Sequence, residues 1–151
     1  MTTHLENLYQ QTLLDHNKNP RHFGKLESAT HRCHGRNPLC GDDYILQLQV
    51  ESGLIKDIAF YGSGCAISKA SASMMSAAVK NRSVEDAMAL KTKFIRLLTE
   101  EEADKTGLNA LGLFEGVKKF PVRVKCATLI WRALENAIHA NSSDESLVST
   151  E

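Results

Sequence analysis

The order of hydrophobic patterns predicts an α+β domain, a small antiparallel sheet packed on one side by helices. Three observations carry that expectation. A helical period opens the chain, two strand-like runs follow over residues 44–61, and helical periods then return as far as residue 140.

Residues 5–16 place Leu5, Leu8, Tyr9 and Leu13 near helical spacing, and Asn19-Pro20 ends the run. Over residues 23–41 the periodicity disappears. Gly24, Gly35, Pro38 and Gly41 punctuate a loop-rich segment there, with part of residues 28–36 able to form an edge strand. Tyr44, Leu46, Leu48 and Val50 then fall on one face of a period-two run, with Gln47 and Gln49 on the other. Glu51-Ser52-Gly53 is a short turn, and residues 54–61 are a second strand, so the two form an antiparallel hairpin.

Gly62-Ser63-Gly64-Cys65 leads into a helix over residues 66–80, with Ile67, Ala70, Met74 and Ala78 on one side. Its many small residues suit close packing on the sheet. Ser83-Val84-Glu85-Asp86 reads as a capping box with Asp for the usual Glu, and Thr99-Glu100-Glu101-Glu102 as a second; each predicts a helix start. Pro121 suits the first turn of a long helix whose stripe runs through Ile130, Leu134 and Ile138, with Trp131 beside it. Residues 141–151 are Ser- and acid-rich and are expected to be a disordered tail, which leaves residues 1–140 as a single domain.

A length of 151 residues, 42% hydrophobic and 24% charged, is the balance of one soluble domain. Eighteen Lys and Arg offset eighteen Asp and Glu, so no net field favours nucleic acid or an anionic membrane. No apolar run approaches the ~18 residues of a membrane span. The first residues lack a basic segment followed by an apolar one, and a cytoplasmic location is expected. In that reducing setting Cys33, Cys40, Cys65 and Cys126 are thiols or metal ligands rather than disulfide staples.

Three of these cysteines sit at element boundaries. Cys40 precedes the first clear strand, Cys65 stands where a strand enters a helix, and Cys126 lies in the opening turns of the last helix. One reading makes them small buried hydrophobes. The other makes them reactive or ligating thiols, since helix N-termini favour thiolate and Gly41 and Gly64 leave room for close approach. The boundary positions favour the second. Asp42 is two residues beyond Cys40 on an extended chain and shares its face, whereas Asp43 points away. A set of three cysteines and Asp42 would satisfy tetrahedral Zn²⁺.

Asn19-Pro20-Arg21, Cys40-Gly41-Asp42, the Gly-rich turn before Cys65 and Val124-Lys125-Cys126 together resemble the IscU/NifU-type iron–sulfur cluster assembly family. The likeness spans residues 5–140. Two features are similar to its zinc-binding sulfurtransferase branch, SufU. Lys125 stands where IscU-type scaffolds carry His, and the stretch from Cys65 to Cys126 is longer, with the excess within residues 81–118. Arg123-Val124-Lys125-Cys126 also matches that branch.

The resemblance implies a compact α+β fold and one Zn²⁺ on Cys40, Asp42, Cys65 and Cys126. It also implies that Cys40 accepts persulfide sulfur, a carrier's role rather than that of a conventional turnover enzyme. The implied partners are a cysteine desulfurase of the SufS type, whose His displaces Cys40 from the zinc, and a downstream cluster scaffold of the SUF system. The same ligands could instead hold a [2Fe–2S] centre in a scaffold, or the chain could be a structural zinc domain that only binds a partner. A Cys/His hydrolase finds no nucleophile–base spacing among His4, His16, His22, His31, His34 and His139. His31 and His34 bracket Cys33 and read as an incidental loop cluster.

Overall fold

Residues 4–140 and 146–150 are described by the computed structural model. Helix α1 (His4–Lys18) leads to strands β1 (His31–Asn37), β2 (Asp42–Glu51) and β3 (Leu54–Ser63). Helices α2 (Ala66–Val79) and α3 (Val84–Thr99), a 3-10 helix (Asn109–Lys119), α4 (Pro121–Ala140) and a short β4 (Ser146–Ser149) complete the chain. The sheet order is β3-β2-β1-β4, antiparallel throughout except that β4 runs parallel to β1. The fold is α+β, as expected.

The β2–β3 hairpin turns on Ser52 and Gly53, whose φ values of 51° and 75° are the paired left-handed positions that match strand twist. Tyr44, Leu46 and Leu48 are buried beneath the helices, so the predicted face is the core face. The loop-rich segment conceals β1, which is flanked by β2 and β4 rather than left at an edge. Gly35 obscured it. A Cβ there would lie 3.3 Å from Leu129 Cδ1 of α4, so this glycine marks close strand–helix approach instead of a loop.

Two further expectations are corrected. Thr99 ends α3 instead of opening a helix: its hydroxyl donates back to the Ile95 carbonyl at 2.8 Å, and Glu100 N–H closes the helix on Arg96 O. Buried Leu97 and Leu98 carry the apolar face of α3 right up to that point, overriding the capping pattern. The disordered-tail expectation fails over Ser146–Ser149, where backbone pairing with β1 and the partly buried Val148 outweigh a polar composition. Residues 141–145 and 151 lie outside the described residues.

Helix α2 is central and buried on most of its circumference, not along a single stripe. Small residues make that possible. Ser71 donates to the Ala127 carbonyl of α4 at 2.6 Å and accepts from Trp131 Nε1 at 3.1 Å, while Trp131 stacks on Phe94 at 4.8 Å. Along α1, Tyr9 and Leu13 pack on the core, but Leu5 stays 66% exposed. No described helix is long and apolar enough to cross a membrane.

Candidate metal centre

The end of the sheet where β1 turns into β2 gathers residues from three places. Asn37-Pro38-Leu39-Cys40 is a turn closed by Cys40 N–H on Asn37 O, and Gly41 follows with φ of 70°, a left-handed position that glycine occupies without strain. Cys40 therefore rides on a hairpin tip, partly exposed beside the strongly exposed Leu39. Asp42 begins β2 and is buried, whereas Asp43 is exposed, so strand alternation separates the two carboxylates as expected. Cys126 arrives from the second turn of α4 and is also buried.

Cys40 Sγ, a carboxylate oxygen of Asp42 and Cys126 Sγ lie within 4.8 Å of one another. The two sulfurs are 2.9 Å apart, with the Cys126 thiol donating, and neither is in a disulfide. Asp42 is held most firmly through one oxygen, the other receiving a longer bond from Asn37 Nδ2 at 3.4 Å. Its Oδ1 accepts from the Cys65 N–H at 2.8 Å and from the Ser68 hydroxyl at 3.0 Å. Burial, with the hydrogen bonds to Cys40 and Asp42, pushes the Cys126 thiol well above its usual range. Without a cation this thiol is protonated at neutral pH; a bound cation favours the thiolate. Burial likewise pushes the Tyr44 phenol up to about 12, so it remains a neutral neighbour of Ser68.

Cys65 stands apart from the three. Its backbone N–H holds Asp42, while its sulfur acts as the N-cap of α2 and accepts from Ser68 N–H at 3.4 Å. Gly64 is obligatory for a different reason from the one its neighbourhood suggested. A Cβ at residue 64 would lie 2.5 Å from Ser68 Oγ, 2.6 Å from Asp42 Oδ1 and 2.8 Å from Tyr44 Oη, so it makes room for the carboxylate's own anchors.

Cys33 and its neighbouring histidines do not form a second centre. Cys33 is fully buried and donates toward Asn136 Oδ1, and His34 on the opposite face contacts Asp43 at 2.5 Å. His31 contacts the Thr30 hydroxyl. Sequence reasoning missed Asn37 and Ser68. Asn37 is fully buried, with Nδ2 at 3.4 Å from Asp42 Oδ2 and 3.5 Å from Cys126 Sγ. A polar side chain in step with Cys33 and Gly35 on a core-facing strand is the signal that would have found it.

Two sulfurs and one carboxylate oxygen within 4.8 Å of one another are a donor set that zinc accepts, and the residues fit it. Residues 8–141 match the family model described as the NifU-like N-terminal domain. The chain is 40% identical over 135 residues to the zinc-dependent sulfurtransferase SufU of Bacillus subtilis, covering 89% of this chain and 91% of that protein. It is also 40% identical over 144 residues to the iron–sulfur cluster assembly scaffold protein IscU of Streptococcus pyogenes, covering 95% and 90%. Among solved structures, a scaffold ascribed to the SUF system of Fervidobacterium islandicum superimposes with a TM-score of 0.82 at 32% identity, over 87% of this chain and 97% of that one.

Proposed function

We propose, since this chain belongs to the NifU-like N-terminal domain family, that it is a zinc-dependent sulfur carrier of iron–sulfur cluster assembly. Cys40, Asp42 and Cys126 would hold Zn²⁺, and Cys65 would be the fourth ligand if its thiol turned off the α2 cap. The observation that carries the reading is the convergence of two thiols and one carboxylate within 4.8 Å. The zinc-dependent relative supports the choice of metal.

Bound there, the ion would keep the sulfurs as thiolates and shield them from oxidation. Cys126 and Asp42, fixed on a helix and a strand, keep their places while Cys40 moves with its hairpin tip. The Cys40 thiolate attacks the terminal sulfur of a desulfurase persulfide. A new S–S bond forms at Cys40, the donor's S–S bond breaks, and the donor cysteine departs with the electron pair as thiolate. The partners are a cysteine desulfurase of the SufS type and a downstream SUF scaffold, in the cytoplasm.

A second reading, a scaffold carrying a [2Fe–2S] centre on the same ligands, is favoured by the scaffold names of the Streptococcus and Fervidobacterium proteins. Metal analysis separates the two: colourless protein with one zinc per chain supports the carrier, and brown protein with stoichiometric iron the scaffold. The transfer itself is tested with desulfurase and cysteine. Mass spectrometry should place the added sulfur on the Cys40 peptide, and Cys40→Ala should abolish stimulation of the desulfurase. Persulfide confined to Cys65 or Cys126, with Cys40→Ala fully active, refutes the assignment.

A further inference from the structure

Asn37 closes β1, and its side chain lies on the face that packs against α4. That face meets the helix in an antiparallel run of contacts. Cys33 reaches Asn136, Gly35 lies against Leu129 and Ala133, and Asn37 reaches Cys126. The first two contacts are ordinary strand-to-helix packing. The third is different, because every side-chain hydrogen bond assigned to Asn37 goes to a proposed ligand.

One amide nitrogen stands between two acceptors on separate elements, Asp42 Oδ2 on β2 and Cys126 Sγ on α4. With two N–H bonds it can serve both at once. The opposite orientation of the amide would turn its oxygen toward the Asp42 carboxylate, a repulsion that fixes the nitrogen inward. The outward oxygen, Asn37 Oδ1, is buried with no hydrogen-bond partner among the described residues. Such a group lowers the stability of the fold. A fully buried amide that leaves one end unsatisfied, and spends the other on two ligand atoms, is therefore poorly explained by folding alone.

We propose that Asn37 is a positioning residue of the metal centre: it tethers the Asp42 carboxylate to the Cys126 sulfur and holds ligands from β2 and α4 in register for the ion. The inference rests on the zinc reading above and adds to it a residue outside the ligand set. Groups that hydrogen-bond metal ligands commonly account for ten- to hundredfold in metal affinity.

The test uses Asn37→Leu, which keeps the branching and removes the polarity, and Asn37→Ala, which also relieves any crowding. Zinc release from the full-length protein to a chromogenic chelator is measured beside the Tm of the metal-free protein. The expected result is about a ten- to hundredfold faster release from both variants. The metal-free Tm of at least one should equal or exceed that of the wild type, since the orphaned oxygen is gone. Cobalt(II) substitution gives an independent reading, because a loosened ligand set should shift the visible bands of both variants.

Wild-type release rates and cobalt spectra in both variants would overturn the proposal. So would a fall in metal-free Tm in both, which would make Asn37 a structural residue. Wild-type protein that binds no zinc defeats the zinc reading instead, and a metal-bearing wild type is the control that tells the two failures apart.

Discussion

Cys33 and Cys126 are equally buried and chemically unlike. Cys33 meets Asn136, whereas Cys126 meets Cys40, Asp42 and Asn37, so company rather than burial separates a core thiol from a candidate ligand. Two histidines show how burial acts on titration. His16 Nδ1 contacts Ser73 Oγ at 2.6 Å and His22 Nδ1 contacts Ser76 Oγ at 3.0 Å, which ties α1 and the segment after it to α2. Burial lowers both pKa values, and the nearby charges of Arg21 for His16 and Lys80 for His22 lower them further. Folding thus favours the neutral rings. Their stabilisation is complete above the unfolded value of about 6.5 and is lost as the pH falls through the lower folded values. The Tm of metal-free protein should therefore fall between pH 7.5 and pH 5, and less steeply in the double variant His16→Gln, His22→Asn. An unchanged slope would assign the acid sensitivity to other groups.

The elements around the candidate centre contribute by different physical routes: a partly exposed hairpin tip carries Cys40, a helix interior carries Cys126, and the α2 cap at Cys65 anchors Asp42. The junction of β3 and α2 is the tightest point. Gly64→Ala should displace Asp42 from its anchors and destabilise the fold by about 1–3 kcal/mol, as overpacking does. It should weaken zinc retention as well, which chelator competition and thermal melts would read together; wild-type values in both would show that residue 64 accommodates a side chain without disturbing Asp42. The two capping patterns give a sharper contrast. Ser83 Oγ accepts from Asp86 N–H at 3.0 Å and caps α3, so Ser83→Ala should cost about 1 kcal/mol in denaturant melts. Thr99→Ala should stay within about 0.5 kcal/mol, because the Thr99 hydroxyl only bonds back to its own helix. Equal costs would mean that the helix ends are misassigned. That pair also shows what local sequence can convey. Both motifs look alike over four residues, and only the buried Leu97 and Leu98 decide which one opens a helix. The hairpin and α4 were legible because their periods run unbroken over many residues. β1 was legible only in part, as an edge strand within residues 28–36, since its packing against α4 required a glycine where strand propensity asks for a side chain. Among site residues, chemistry-bearing types stood out and Asn37 did not, because its amide meets Cys126 only when α4 docks on β1.

At the scale of the whole molecule, the candidate centre lies where the sheet end meets α2 and α4, so Cys40, Asp42 and Cys126 come together only when sheet and helices have docked. The pairing of β4 with β1 adds a demand of its own, because it joins Cys33 to Ser146 and so waits for nearly all the intervening chain to organise. Local hairpins form quickly and distant pairings slowly. During refolding, β1 and β2 can therefore pair while the other edge of β1 is still bare, and a bare edge is a template for a strand from another molecule. Refolding yield should fall as protein concentration rises. Val148→Pro, which removes one backbone donor from β4, should lower it further while the native helix content holds. Identical yields for variant and wild type at every concentration would show that the edge is harmless. In kinetic terms the shortest strand of the sheet serves as a late guard, and its tardiness sets the interval in which one chain can be mistaken for another.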